Sequence, residues 1–141
     1  MQKRMGAAVL AAAAIAMTFT GVSHAETNPK CPSGVTQIGS TKYLKSGGET
    51  VASVKQFKGC NKNWAYVYVW DAWRAKHKDF YLRAAIWTRT GPEAIDYNGG
   101  ARGQQEVWSN GANTLSQCTY AVGDVLWQSG TDLHGSTDER C

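Results

Sequence analysis

The residues best suited to chemistry lie in one stretch, Lys62–Arg89, with the sequence KNWAYVYVWDAWRAKHKDFYLRAAIWTR. It holds four of the six tryptophans. Trp64, Tyr66, Tyr68, Trp70, Trp73, Tyr81 and Trp87 stand there among Arg74, Arg83 and Arg89. Aromatic faces stack on sugar rings or bases, and nearby guanidinium groups hold an anionic backbone. The chemistry expected of this set is non-covalent recognition of a polymer. The competing account is that the tryptophans are core fillers, because the indole is costly to expose.

Covalent chemistry is poorly provided for. Outside the N-terminal segment the histidines are His77 and His134. A Ser/His/Asp machine needs three groups to converge, and no Gly-x-Ser-x-Gly elbow is present. His134, in Asp132-Leu133-His134-Gly135-Ser136, reads as a solvated loop residue. A small hydrolase or nuclease would have to recruit His77, Glu93 or Glu106, and Arg83 as base, acid and phosphate-holding cation. Asp71 with Asp79 is the carboxylate pair for glycoside cleavage, which needs a set separation across a cleft. Loop-flanking aspartates more commonly cap turns. There is no phosphate loop, calcium loop or paired-histidine motif. The expectation is a protein without catalytic residues, metal or cofactor.

Strands are the elements that would position the aromatics. Trp64, Tyr66, Tyr68 and Trp70 alternate with Ala65, Val67 and Val69. Phe80, Leu82, Ala84 and Ile86 alternate with Tyr81, Arg83, Ala85, Trp87 and Arg89. Successive side chains of a strand point to opposite faces. If the two arms pair as an antiparallel hairpin connected by Asp71–Lys78, one face is aliphatic and the other aromatic and cationic. A helix capped by Asp71, with the stripe Trp73, His77, Phe80, Ala84 and Trp87, is the alternative. That stripe ignores Leu82 and Ile86, so strands are preferred.

The remainder frames this stretch. Lys3 and Arg4, an Ala-rich run to Gly21, and Val22-Ser23-His24-Ala25 make the three-part pattern of a secretory signal peptide, residues 1–25. Residues 26–141 read as a single secreted domain, with no later run long enough to span a bilayer. Its four cysteines, Cys31, Cys60, Cys118 and Cys141, are too dispersed for a metal site and read as two disulfides. Three pairings exist. Cys31 with Cys60 and Cys118 with Cys141 close local loops and are expected. Val35–Lys45, Glu49–Phe57, Gln104–Ser109 and Gln117–Ser129 read as further strands. Ser46-Gly47-Gly48 and Asn110-Gly111 read as turns, and Asp96–Gly103 as a mobile loop. The fold class is all-β, a small antiparallel sandwich or barrel.

Charge is unevenly spread. Lys55–Arg89 has eight basic residues against two acidic, and Thr90–Cys141 has two basic against seven acidic. Either the two regions neutralise each other in the fold, or the basic block meets an anionic partner.

The opening Cys31-Pro32-Ser33-Gly34 with Ile38-Gly39 resembles that of the spore-associated protein A family, small secreted proteins of filamentous actinobacteria. The likeness continues through Cys60, Tyr97, Ala101, Cys118-Thr119-Tyr120-Ala121-Val122-Gly123 and the final Cys141. It is a layout of cysteines, glycines and aromatics over nearly the whole exported chain. Lys62–Arg89 departs from it, being longer, more basic and richer in tryptophan. Cys60-Asn61-Lys62-Asn63-Trp64-Ala65 also resembles a Cys-x-x-x-Trp-Ala motif of another secreted actinobacterial family. Both likenesses imply an extracellular or surface protein without an assigned enzyme activity.

The function expected is therefore that of a secreted, non-enzymatic protein of the cell or spore surface. It would bind an anionic cell-wall polymer or a glycan through the aromatic, basic hairpin, with nucleic acid a poorer candidate. A protein-directed module, such as a protease inhibitor or toxin-like factor acting through Asp96–Gly103, is the alternative. A small secreted hydrolase or nuclease is the third.

Overall fold

The computed structural model describes residues 26–91, 95–127 and 132–141. The expected signal peptide and Glu93 lie outside them. Eight strands and one short helix follow in order: β1 (Thr36–Ser46), β2 (Glu49–Gly59), β3 (Lys62–Val69), α1 (Asp71–Lys76), β4 (Phe80–Thr88), β5 (Ile95–Gly99), β6 (Glu106–Trp108), β7 (Thr119–Trp127) and β8 (Leu133–Ser136). They form two four-stranded antiparallel sheets, β1-β2-β3-β6 and β5-β4-β7-β8. The sheets stack face to face, β1 against β8, β2 against β7 and β3 against β4, so the chain is an all-β sandwich.

Two tight turns build the first sheet. Gly47 and Gly48, at φ +57° and +79°, link Ser46 to Glu49. Cys60 and Asn61, at φ +51° and +58°, link Gly59 to Lys62. Two successive left-handed residues match the right-handed twist of the flanking strands. Cys60 holds this conformation while bonded to Cys31, and Cys118 is bonded to Cys141, which are the expected pairs.

The expected hairpin does not form. β3 pairs with β2 and β6, whereas β4 pairs with β5 and β7. The connection carries the chain from one sheet to the other. Asp71–Lys76 within it is helical, so the helical alternative holds for that turn alone and Phe80–Thr88 is a strand. Trp73 is the buried residue of α1; its ring packs on Phe80 at 5.5 Å and on Trp127 at 5.3 Å. The aliphatic rows Ala65-Val67-Val69 and Phe80-Leu82-Ala84-Ile86 do share a core, but across the sandwich. Alternation decides which face of a strand is buried and leaves its hydrogen-bonded partner open.

Three further expectations are corrected. Asp96–Gly103 is not a free loop, because Ile95–Gly99 pairs with β4, with Asp96 at φ +54°. Asn110-Gly111 does not close a hairpin, because β6 and β7 belong to different sheets. His134 is not in a loop, because Leu133–Ser136 forms β8, which pairs with β7 and covers the end of the core.

The sheets approach closely at Gly123 on β7. A Cβ there would lie 2.6 Å from methyl groups of both Val54 and Val67. Gly123→Ala should lower stability by about 1–3 kcal/mol, the usual range for overpacking, read as a reduced urea midpoint. An unchanged midpoint would mean that the sheets separate freely at this point.

Candidate functional site

The outer face of the first sheet carries the aromatic row of β3, and the register shows what lies beside it. Trp64 is opposite Phe57, which is opposite Gln37. Tyr66 stands between Lys55 and Trp108. Tyr68 stands between Ser53 and Glu106, and Ser53 is in turn opposite Tyr43. Directly opposed residues share a face, so these side chains make one surface.

One end of that surface is covered. Cys31, on the N-terminal segment before β1, packs with Phe57, Trp64, Tyr66 and Trp108 into a second buried cluster. The Trp108 ring lies 4.5 Å from that of Tyr66 and 5.0 Å from that of Phe57. The Trp64 indole N–H donates to the Gly59 carbonyl at 2.9 Å. For Trp64, Trp73 and Trp108 the core-filling account of tryptophan is therefore correct.

The other end is open. Tyr43 is 50% exposed and Trp70 41%. They flank a groove of about 730 Å³ floored by Ser53, Lys55, Tyr66 and Tyr68. Glu26, Thr27, Gln37 and Glu106 complete its rim. The Trp70 indole N–H donates to Ser53 Oγ at 2.8 Å, and its ring meets Tyr43 edge to face at 6.1 Å. The indole is thus fixed while much of its surface meets solvent. Tyr66 Oη donates to Glu106 Oε2 at 2.6 Å. Gln105 Nε2 donates to Tyr68 Oη at 3.0 Å, and the phenol lies 3.4 Å from Asp71 Oδ1. Lys55 is ion-paired with Glu26. The arrangement suits a ligand with flat apolar faces and many hydroxyls. Aromatic rings take the faces, and carboxylates, hydroxyls and amides take the edges.

Burial raises the Tyr66 phenol well above the ordinary tyrosine range, and the hydrogen bond to Glu106 and its charge push the same way. Tyr68 is raised too, first by burial and then by Asp71. Neither phenol is poised to lose a proton near neutrality, so both serve as neutral hydrogen-bonding groups.

The other expected site residues are dispersed. Trp73 is in the core, and Arg74 donates to the Gly103 carbonyl at 3.2 and 3.3 Å. Tyr81, Arg83, Trp87 and Arg89 belong to the second sheet and face away from the groove, because β4 is not beside β3. Tyr81 is exposed there, and Trp87 stacks on Tyr120 at 6.2 Å. Arg83 lies 3.0 Å from Asp124, which also pairs with His134, and Arg89 pairs with Glu139. The hydrolase set does not assemble. His77 stacks on Trp73 at 4.1 Å, Glu106 belongs to the first sheet and Arg83 to the second. Asp79 is paired with Arg102. Cys118, Glu139 and Cys141 lie close together, but the cysteines are bonded to each other and the carboxylate to Arg89. Of the expected residues, the structure brings Trp64, Tyr66, Tyr68 and Trp70 onto one face and leaves the last two open. It adds Tyr43, Ser53, Lys55, Gln37 and Glu106.

No family model, curated protein or solved structure matches this chain, so the groove is interpreted from its own geometry. Two outcomes follow from that geometry. Acrylamide should quench mainly the Trp70 emission, since Trp64, Trp73 and Trp108 are buried and Trp87 and Trp127 half-buried. Trp70→Phe should remove the largest quenchable component, and an unaltered quenching curve would place the groove under cover. Tyr66 has the second effect. Its native pKa is raised, so its contribution to stability is complete below about pH 10, where the unfolded phenol titrates, and is lost as the pH climbs above it. Tyr66→Phe should cost about 0.5–1.5 kcal/mol at neutral pH and flatten the alkaline fall in urea stability. An unchanged alkaline slope would show that Tyr66 is not the group responsible.

Proposed function

We propose that this is a secreted, non-enzymatic protein of the cell or spore surface that holds a wall polymer or glycan in the groove of the first sheet. One observation carries the proposal: the exposed pair Trp70 and Tyr43, fixed in place above a floor of hydrogen-bonding side chains. A monomeric domain gains nothing for its own stability by holding two large rings in solvent, and exposed aromatics beside polar groups are typical of recognition surfaces. The two disulfides accord with an oxidising compartment. Among the described residues no helix is long and apolar enough to cross a membrane. The likeness in cysteine layout to spore-associated proteins supports the surface location.

Trp70→Ala and Tyr43→Ala should each weaken retention on purified cell-wall polysaccharide by roughly tenfold or more, the loss typical of a central aromatic contact. Circular dichroism should be unaltered, because both rings are exposed. Tyr81→Ala, on the opposite face, should leave retention at the wild-type level. Equal retention by all three variants would remove the groove as the binding site.

A further inference from the structure

The sequence suggested an anionic polymer as partner, and the arrangement of charge at the groove argues for a different ligand class. We infer that the groove selects an uncharged, hydroxyl-rich glycan; this rests on the groove being the binding site. None of the basic residues of Lys62–Arg89 lines it. Arg83 and Arg89 are engaged by Asp124 and Glu139 on the second sheet, and Lys76 by Glu49. Arg74 donates to the Gly103 carbonyl and keeps its charge, which offsets Asp71 at the Tyr68 end and leaves Glu106 unbalanced. The one cation lining the groove, Lys55, is neutralised by Glu26. Glu106 lies on the rim and Asp71 beside Tyr68, both exposed carboxylates. The local charge is therefore net negative.

The hydrogen-bonding inventory points the same way. Glu26, Glu106 and Asp71 only accept, and Ser53 Oγ already accepts from Trp70 and retains its own proton to donate. A phosphate or carboxylate polymer also brings acceptors, so it would meet like charge at Glu106 and Asp71 and leave those acceptors without a donor. The hydroxyls of a neutral sugar donate, and carboxylates are the strongest acceptors available for them. The row Glu106–Tyr68–Ser53–Tyr43 crosses four strands. At about 4.8 Å between neighbouring strands this is roughly 14 Å, long enough for a short oligosaccharide lying across the strands with a ring on Trp70. Lys58 and Arg140, which enter no ion pair among the described residues, line a separate hollow of about 490 Å³. That hollow offers an anion cations without a bound carboxylate, which the groove does not.

The test uses the oxidised, exported form of the protein, titrated with cello-, xylo- and chito-oligosaccharides and with polyglycerol phosphate, at low and high salt. Trp70 fluorescence and calorimetry are the readouts. The expected result is binding of at least one neutral oligosaccharide, with less than about a twofold change with salt, as for an uncharged ligand. Trp70→Ala should weaken it roughly tenfold, and Glu106→Gln several-fold. Polyglycerol phosphate should leave Trp70 fluorescence unaltered, and any binding of it should fall with Lys58→Gln instead. Salt-sensitive binding of polyglycerol phosphate that Trp70→Ala abolishes would overturn the neutral-ligand inference and keep the groove as the site. Binding of neutral oligosaccharide that Trp70→Ala leaves intact, or no binding of any probe, would overturn the groove itself and the inference with it.

Discussion

A strand that is apolar on both faces needs two covers, and β3 sets this requirement for the whole molecule. Its inner row, Ala65, Val67 and Val69, is covered by the second sheet. Its outer row, Trp64, Tyr66 and Tyr68, has no third layer of strands above it. The N-terminal segment supplies a partial one, seating Cys31 among Trp64, Tyr66, Phe57 and Trp108. Burying a large aromatic side chain is worth about 1.5–3 kcal/mol, so this cover stabilises the sheet considerably. Among the described residues it does not extend over Trp70. The groove is the part of the outer face that the cover does not reach.

How much of this was legible in the sequence depends on which geometric rule was being read. Alternation assigned the faces of β3 and β4 correctly, because side-chain direction follows the strand itself. Pairing depends on the connection. A link of Asp71–Lys78 length suits a hairpin or a crossing between sheets equally, and Trp73, buried among Phe80 and Trp127, selects the crossing. Hence the alternation places Tyr66, Tyr68 and Trp70 on one face, as in the structure, while Tyr81, Arg83, Trp87 and Arg89, expected beside them, lie with the second sheet. Tyr43 was not visible for a subtler reason. The Gly47-Gly48 turn taken alone would set Tyr43 opposite Ala52, on the core side. A register shift between Leu44 and Lys45 instead sets it opposite Ser53, on the groove side. A bulge reverses every side chain beyond it, and nothing in the local residue types announces this one.

The charge pattern had two accounts, and the contacts favour mutual neutralisation. Arg83 meets Asp124 on the neighbouring β7, and Arg89 meets Glu139 near the C-terminus. Asp79, from the basic stretch, meets Arg102, from the acidic one. These pairs are largely exposed and add little to stability. Their importance lies in what they remove. With Arg83 and Arg89 held by carboxylates away from the first sheet, the aromatic surface keeps its rings without those two cations.

The same economy applies to the covering segment, which acts as lid for the core and wall for the groove. Cys31 is buried in the aromatic cluster, and its bond to Cys60 fastens the segment to the β2–β3 turn. Five residues earlier, Glu26 reaches Lys55 in the groove floor. Without that bond the segment would be held by side-chain contacts alone. The disulfide restricts the unfolded chain by about 3 kcal/mol on the chain-entropy model. It also tethers the segment from which Glu26 reaches Lys55. Covalent chemistry at one end of the sheet thereby bears on the charge at the other, where Glu26 meets Lys55.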